Sequence, residues 1–143
     1  MVMFATLQSH FSGLTVLLIG IAVGGGWICA ILAPNVFYDK LDGSRANTQV
    51  KNLIRSGSTP IAGLLLAAAC FAFLAGMLVS GILALVSSLG FFLNRWTLAG
   101  FKRGDTPKGA KRRMSSQRIV AVSLSLLFLL TAAIAGVLAV FGV

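Results

Sequence analysis

Three long apolar segments dominate the pattern of hydrophobic and polar positions along this chain. They cover residues 13–34, 60–100 and 119–143, with two polar segments between them. A helix needs about 20 predominantly apolar residues to cross roughly 30 Å of hydrocarbon. The first and third segments therefore each predict one membrane-spanning helix. The middle segment is about twice as long, so it predicts either one very long tilted helix or two helices joined by a tight turn.

A hairpin is the better interpretation of the middle segment. Small residues divide it into two nearly equal halves only at residues 76–81, which read GMLVSG. The chain is then all-α, a single transmembrane domain over residues 1–143, with four transmembrane helices in an antiparallel bundle. The predicted helices cover about 11–34, 60–78, 80–100 and 117–141, and the predicted cytoplasmic loops cover 35–59 and 101–117.

The first polar segment has a helical pattern of its own. Within residues 44–57, the apolar side chains of Ala46, Val50 and Ile54 share one helical face, and the basic side chains lie mostly away from it. This pattern predicts a short amphipathic helix at the membrane interface. Upstream of it, Pro34 has no amide donor and restricts the residue before it. The first helix therefore either stops at Pro34 or kinks there and continues to about residue 39.

Composition and charge turn this pattern into a membrane topology. The chain is 57% apolar and 10% charged, its mean hydropathy is +0.94, and it contains no glutamate, which is far from a soluble globular composition. Residues 35–59 hold four basic and two acidic residues, and residues 95–118 hold eight basic and one acidic. With four helices, both basic segments fall on one face, as the positive-inside rule requires. We therefore expect a multi-pass protein of the bacterial inner membrane with both termini outside the cytoplasm.

The two basic segments are also the candidate binding surface. In a soluble protein such clusters would suggest nucleic acid, but beside a membrane the expected partners are anionic lipid headgroups, at about 1 kcal/mol per Lys or Arg. Other integral membrane proteins, or a second copy of the chain, are further expected partners, and nucleic acid is not. The candidate contact residues are Lys51, Arg55, Lys108, Lys111, Arg112 and Arg113.

Small residues at four-residue spacing predict where the helices pack. Lipid gives apolar helices little hydrophobic incentive to associate, so close backbone approach at Gly, Ala and Ser is the usual contact. We expect these residues to pack helices within the chain, and the alternative is a dimer interface. On this interpretation Gly24→Leu should disrupt the bundle more than Leu66→Ala. The candidate packing residues are Gly20, Gly24, Gly26, Ala72, Gly76 and Gly136.

Few side chains in this sequence are suited to chemistry. His10 is the only histidine and falls at the predicted outer interface, where an imidazole more often contacts headgroups than binds a ligand. The predicted depths of Cys29 and Cys70 differ by roughly 7 Å, which disfavours a disulfide, and two thiols with one histidine make a poor metal cluster. No Asp, Glu, Lys or Arg falls at predicted mid-membrane depth, where proton relays and ion-coupled transporters generally need one. We therefore expect no catalytic residue, no metal and no cofactor.

A family resemblance begins at residues 31–46, ILAPNVFYDKLDGSRA. Pro34, Phe37, Leu41 and Ala46 follow a glycine-rich first helix. In this the chain resembles the small four-helix membrane proteins of domain of unknown function 4149, which are similar to eukaryotic transmembrane protein 205. The resemblance extends in outline through the hairpin, the basic loop and the last helix. It implies a four-helix fold and a membrane, and it implies no activity.

Three hypotheses of function follow from these patterns. The leading one is a small non-enzymatic integral membrane protein, an accessory or assembly subunit that associates with other membrane proteins and anionic lipid. The second is a small transporter or pore-forming oligomer, and the third is a membrane haem or porphyrin-handling protein that uses His10 as an axial ligand. The pore of the second hypothesis would be lined by the hydroxyl groups of Ser80, Ser87, Ser88, Ser123, Ser125 and Thr131.

The predicted topology can be tested by labelling single cysteines introduced into a cysteine-free variant in intact cells. A cysteine at residue 108 should react only after the cell is permeabilised, because the basic loop is expected inside. A cysteine at residue 8 or 143 should react without permeabilisation. Reaction of residue 108 with an impermeant reagent in intact cells would contradict the topology.

Overall fold

The computed structural model describes residues 2–97 and 107–143. The described residues contain no strand and are nearly all helical. The elements are α1 (Val2–Trp27), a single π-helical turn (Ile28–Leu32), α2 (Ala33–Lys40), α3 (Gly43–Leu74), α4 (Leu78–Thr97) and α5 (Pro107–Val140).

Three stretches of these helices are long and apolar enough to cross a membrane. They are Thr6–Phe37, Thr48–Leu74 and Ile119–Val140. A fourth apolar stretch, Leu78–Asn94 in α4, is shorter. The all-α class and the membrane character predicted from the sequence are thereby confirmed.

The first helix does not end at Pro34. The π-helical turn joins α1 to α2 without a break, and the amide of Ala33 donates to the carbonyl oxygen of Ile28, five residues back. A proline cannot donate to the carbonyl four residues before it, and its ring crowds that carbonyl. One wider turn directly before Pro34 relieves this crowding. Of the two outcomes left open by the sequence, continuation is the correct one, and the helix runs to Lys40.

The predicted loop at residues 35–59 is largely helical, and the short helix predicted within residues 44–57 is the first part of a longer helix. Residues 35–40 belong to α2, and α3 is one helix from Gly43 to Leu74 that contains Pro60. The apolar stripe of the amphipathic segment, at Val50 and Ile54, continues in helical phase into Ile61 and Leu65, and all four side chains are buried. One continuous helix therefore buries the whole stripe, whereas a break before Pro60 would put its two halves out of phase.

The middle apolar segment is a hairpin, as the sequence predicted, and its turn lies at residues 75–77. Gly76 has a φ of +80°, a conformation that glycine adopts without steric cost. The amide of Gly76 donates to the carbonyl of Phe73, and the amide of Met77 donates to that of Ala72. These two bonds form the Schellman motif, which ends helices at a left-handed glycine. Gly76 therefore ends α3, and a Cβ there would also come within 3.2 Å of the Gln8 side chain on α1.

The four long helices pack against each other in a closed order. α3 contacts α1 and α4, and α5 contacts α4 and α1. The shared core is built mainly from alanine, a side chain short enough to let helix backbones approach closely. Its fully buried alanines are Ala22, Ala62, Ala68, Ala84, Ala132 and Ala135.

The last two helices also differ from the predicted boundaries. α4 begins at Leu78, two residues before the predicted start at residue 80, and the structure describes it to Thr97; the predicted end at residue 100 lies outside the described residues. α5 begins at Pro107, ten residues before the predicted start at residue 117, so residues 107–117 of the predicted loop are helical. The remainder of that loop, residues 101–106, lies outside the described residues.

The glycines predicted to pack helices divide into two groups. A Cβ at Gly26 would collide with the Leu129 side chain, and one at Gly136 would come within 3.0 Å of Ile19. Ala72 is fully buried. A Cβ at Gly20 or Gly24 would meet no atom within 4 Å. These two glycines face away from the other helices, so the expectation that Gly24→Leu disrupts the bundle is wrong.

The structure replaces that expectation with a matched pair of substitutions two positions apart on α1. Gly26→Leu should destabilise the protein by about 1 to 3 kcal/mol, because the new side chain must displace Leu129 from a filled contact. Gly24→Leu should change stability by less than about 0.5 kcal/mol, because its side chain enters open space. Unfolding of both variants in mild detergent, followed by circular dichroism, measures the difference. Equal stability of the two variants would contradict this packing.

Candidate functional site

Both chain termini and the α3–α4 turn lie at one end of the helices. The Gln8 side-chain amide donates to the carbonyl of Ala75 at 2.7 Å, and the backbone amide of Ser80 donates to the carbonyl of Val143 at 3.3 Å. The sequence near these contacts holds no Asp, Glu, Lys or Arg. This end is therefore the uncharged end of the molecule.

The charged residues lie at the opposite end. There a small apolar cluster of Phe37, Val50, Ile54, Ala121 and Val122 joins α2, the first half of α3 and α5. The basic residues of the first polar segment lie on α2 and α3 beside this cluster, and those at 108–118 lie on the turns of α5 that precede it. Both basic segments are thus attached to the same end.

The exposed face of α3 changes character abruptly along its length. Before residue 60 this face is polar, and from Pro60 onward it is formed by small or apolar side chains. Its exposed polar residues are Arg45, Thr48, Gln49, Asn52, Arg55, Ser56 and Thr59. Its exposed residues beyond the change are Pro60, Gly63, Leu66, Cys70, Phe73 and Leu74. We call the step from Thr59 to Pro60 the polar–apolar boundary of α3.

Contacts between helices show which residues of α4 lie level with this boundary on α3. Ser88 of α4 bonds to the carbonyl of Ala62 on α3, and Asn94 of α4 bonds to the carbonyl of Ala121 on α5. Asn94 lies six residues beyond Ser88, about 9 Å along the helix, so it is level with about residue 56 of α3. Leu93, next to Asn94, is exposed and apolar at this level.

Tryptophan marks the same depth on α1. Trp27 is 53% exposed, and two residues later the Cys29 sulfur lies 3.0 Å from where a Cβ on Gly57 would stand. Trp27 is therefore close to the level of the α3 boundary. Tryptophan is enriched where hydrocarbon gives way to headgroups. Beyond Trp27, the apolar side chains of Ile28, Leu32 and Val36 are also exposed, so the apolar surface of the first helix extends past the level of the α3 boundary.

The predicted lipid-contact residues differ in how much the structure says of them. Arg55 is exposed on the polar face of α3, and Lys51 is partly buried one turn earlier, with a side-chain interaction of its own. The other four predicted contacts have a backbone that belongs to α5, and their side chains lie outside the described part of the chain. They are Lys108, Lys111, Arg112 and Arg113.

Polar side chains of α4 hold this helix against α5. The Ser80 hydroxyl donates to the carbonyl of Ala135 at 2.7 Å. The Asn94 amide donates to the carbonyl of Ala121 at 3.1 Å and to the Ser125 hydroxyl at 2.7 Å. Ser87 lies midway between Ser80 and Asn94, is fully buried, and its hydroxyl has no hydrogen-bond partner. The three residues are seven apart, which is the repeat of a helix-packing seam.

The other hydroxyls considered for a pore also bond to backbone carbonyls. Ser88 bonds to Ala62 of the neighbouring helix. Ser125 and Thr131 bond to the carbonyls four residues before them, as hydroxyls within helices usually do. Ser123 is exposed on the outer face of α5. Among the described hydroxyls, those of Ser80 and Ser88 hold neighbouring helices together, and those of Ser125 and Thr131 bond within α5.

A small cavity lies between the helices near the charged end. Its volume is about 10 Å³, and its lining includes Gly26, Cys29, Ser58, Phe91 and Ser125. Such a volume is at the lower limit for one water molecule. The Ser58 and Ser125 hydroxyls already donate to carbonyls, so the cavity offers few groups to bind a ligand. It has no room for a porphyrin.

The remaining candidate residues lie apart from one another. His10 is exposed on α1 near the uncharged end, whereas the cavity lies near the charged end. Both cysteines are free, Cys29 half-buried against Gly57 and Cys70 exposed on α3. The described residues contain no group of three or more His, Cys, Asp or Glu side chains that could hold a metal ion.

Comparison with known proteins finds no matching family model, no matching curated protein and no matching solved structure. The resemblance to domain of unknown function 4149 stays a prediction, and the chemistry of the site is argued from its own residues.

Sequence reasoning missed the role of Asn94. Its position next to Arg95 and Trp96 suggests a residue at a helix end in the membrane interface. In the structure, however, its side chain is only 1% exposed and donates a hydrogen bond to α5. The signal that could have found it is the seven-residue spacing of Ser80, Ser87 and Asn94, since polar side chains facing other helices are the usual glue between membrane helices.

The α4–α5 contact gives a second matched pair of substitutions. Asn94→Leu should lower stability by about 1 kcal/mol, because it removes two interhelical hydrogen bonds inside an apolar bundle. Ser87→Ala should leave stability unchanged or raise it, because it removes a buried hydroxyl that has no partner. Unfolding in mild detergent compares both variants with the wild type. A larger loss for Ser87→Ala than for Asn94→Leu would contradict this account.

Proposed function

We propose that this chain is a non-enzymatic integral membrane protein of four spans, an accessory or assembly subunit of the bacterial inner membrane that binds anionic lipid and other membrane proteins at its basic end. The observation that carries the proposal is that, among the described residues, the basic residues of α2 and α3 and the basic start of α5 lie at one end of an apolar helical body. Both termini lie outside the cytoplasm on this proposal, and the basic end lies inside.

The position of the termini supports four spans. Gln8 contacts Ala75 and Val143 contacts Ser80, so both termini share the uncharged end with the α3–α4 turn. A chain that begins and finishes at the same end makes an even number of crossings. α4 has a shorter apolar stretch than the other three, and a short span is accommodated by local thinning of the bilayer or by snorkelling of flanking residues such as Arg95.

The surfaces of the protein support a binding role. Large apolar side chains are exposed on all of the long helices, as expected for lipid-facing helices or helices that meet another membrane protein. The basic segments supply long-range attraction to anionic partners. In the described part of the chain, the exposed apolar faces and the basic residues are the two surfaces on which a partner could bind.

The test is to purify the full chain from bacterial membranes in mild detergent and to compare it with a variant of reduced charge. Gln substitution of Lys108, Lys111 and Arg112 leaves two of the five basic residues at 108–118. We expect the orientation to be kept, because the basic loop stays more positive than the uncharged end. We expect a membrane-protein partner to co-purify at a fixed ratio with the wild type. In the Gln variant, the association should be weaker by up to about 1 kcal/mol per charge removed.

The control variant keeps the charges, as Lys108→Arg, Lys111→Arg and Arg112→Lys, and should behave like the wild type. Raising the salt concentration should weaken association of the wild type towards the level of the Gln variant. Solute flux or conductance through liposomes that contain the purified chain alone would overturn the proposal in favour of a transporter or pore.

A further inference from the structure

We propose that the polar–apolar boundary of α3 is a binding site for one anionic phospholipid. Arg55 holds the headgroup phosphate, and an acyl chain runs down the exposed face over Gly63. This site rests on the proposed function for its orientation in the membrane, and it goes beyond that function by naming the residues and the ligand class.

The depth of Arg55 is the first argument. It lies four residues before Thr59, about 6 Å above the boundary at a rise of 1.5 Å per residue. The headgroup layer of a bilayer is roughly 5 to 8 Å thick on each side. The guanidinium of Arg55 therefore lies at the level of lipid phosphates, where its fixed fork of donors suits phosphate oxygens.

The neighbours of Arg55 are the second argument. Asn52 and Ser56 are exposed on the same face of α3, within one turn of Arg55. The Asn52 amide and the Ser56 hydroxyl can each donate a hydrogen bond to the phosphate or glycerol oxygens of a headgroup. The polar face thus offers one cation and two neutral donors close together, a set that suits a phosphodiester.

The surface below the boundary is the third argument. Gly63 lies one turn beyond Pro60 on the same exposed face, and a Cβ there would meet no atom within 4 Å. We infer that the missing side chain leaves a shallow apolar depression on this face, about 12 Å along α3 from Arg55. An acyl chain fits such a depression, whereas a soluble phosphate has no use for it. The combination therefore favours a lipid over a free anion.

The experiment uses the purified full chain in mixed micelles of detergent, phosphatidylcholine and a minority of phosphatidylglycerol. Native mass spectrometry measures how strongly retained lipid is enriched in phosphatidylglycerol. Arg55→Gln should lower this enrichment by about fivefold, from the attraction of one cation near the headgroup. Arg45→Gln is the matched control, because Arg45 is exposed on the same helix face but lies about 21 Å above the boundary. It should leave the enrichment unchanged.

The depression is tested by Gly63→Leu, which should lower total lipid retention, with Gly24→Leu as a control at another open glycine. Glycerol phosphate added in excess should not displace the lipid. Equal effects of Arg55→Gln and Arg45→Gln, or no effect of either, would overturn the site and leave the proposed function standing. Displacement by glycerol phosphate would show that the site binds soluble phosphate instead.

Discussion

The structure depends on one constraint, that backbone amides and carbonyls within hydrocarbon must be paired inside the protein. Pro34 and Pro60 show how the chain meets this constraint where an amide donor is missing. At Pro34 the chain widens one turn and keeps its hydrogen bonds, with Ala33 donating to Ile28, and at Pro60 the helix passes through without a break. In the turn between α3 and α4, the amides of Gly76 and Met77 donate hydrogen bonds to carbonyls near the end of α3. The same constraint pairs the buried hydroxyls of Ser58, Ser80 and Ser88 with backbone carbonyls, since carbonyl oxygens can accept a second bond where few other acceptors exist.

Much of the fold follows from the sequence because length and polarity determine it. The apolar segments fix the number of helices, and GMLVSG fixes the hairpin turn within a few residues. The sequence does not determine in the same way which face of a helix contacts its neighbours, or whether a helix continues through a proline. Whether Gly24 or Gly26 faces a neighbour is decided by a rotation of about 200° around α1, and small residues occupy both faces. The continuity of α3 across Pro60 is decided by burial of Val50 and Ile54 against other helices, which a local helix-start pattern cannot reveal.

The candidate site, too, could be predicted from the sequence only in part. Its charge could be predicted, because basic residues are few and fall in two segments. Its position on the molecule could not. Arg45, Lys51 and Arg55 are similar as sequence, and only a continuous α3 with a defined exposed face assigns them different depths. The depth of Arg55 comes from its place four residues before the polar–apolar boundary of α3.

The exposed apolar face of α3 has a further consequence for the surrounding bilayer. On α3, from Pro60 to Leu74, it measures about 21 Å, against roughly 30 Å for an average hydrocarbon layer. The exposed apolar stretch of α1 is longer. Lipids beside α3 must therefore be compressed while those beside α1 are not, at a fraction of a kcal/mol for each Å of mismatch. Such an uneven rim bends the membrane elastically around the protein. It draws towards the α3 side any neighbour whose own apolar belt is equally short, because sharing the compressed lipid reduces the total strain.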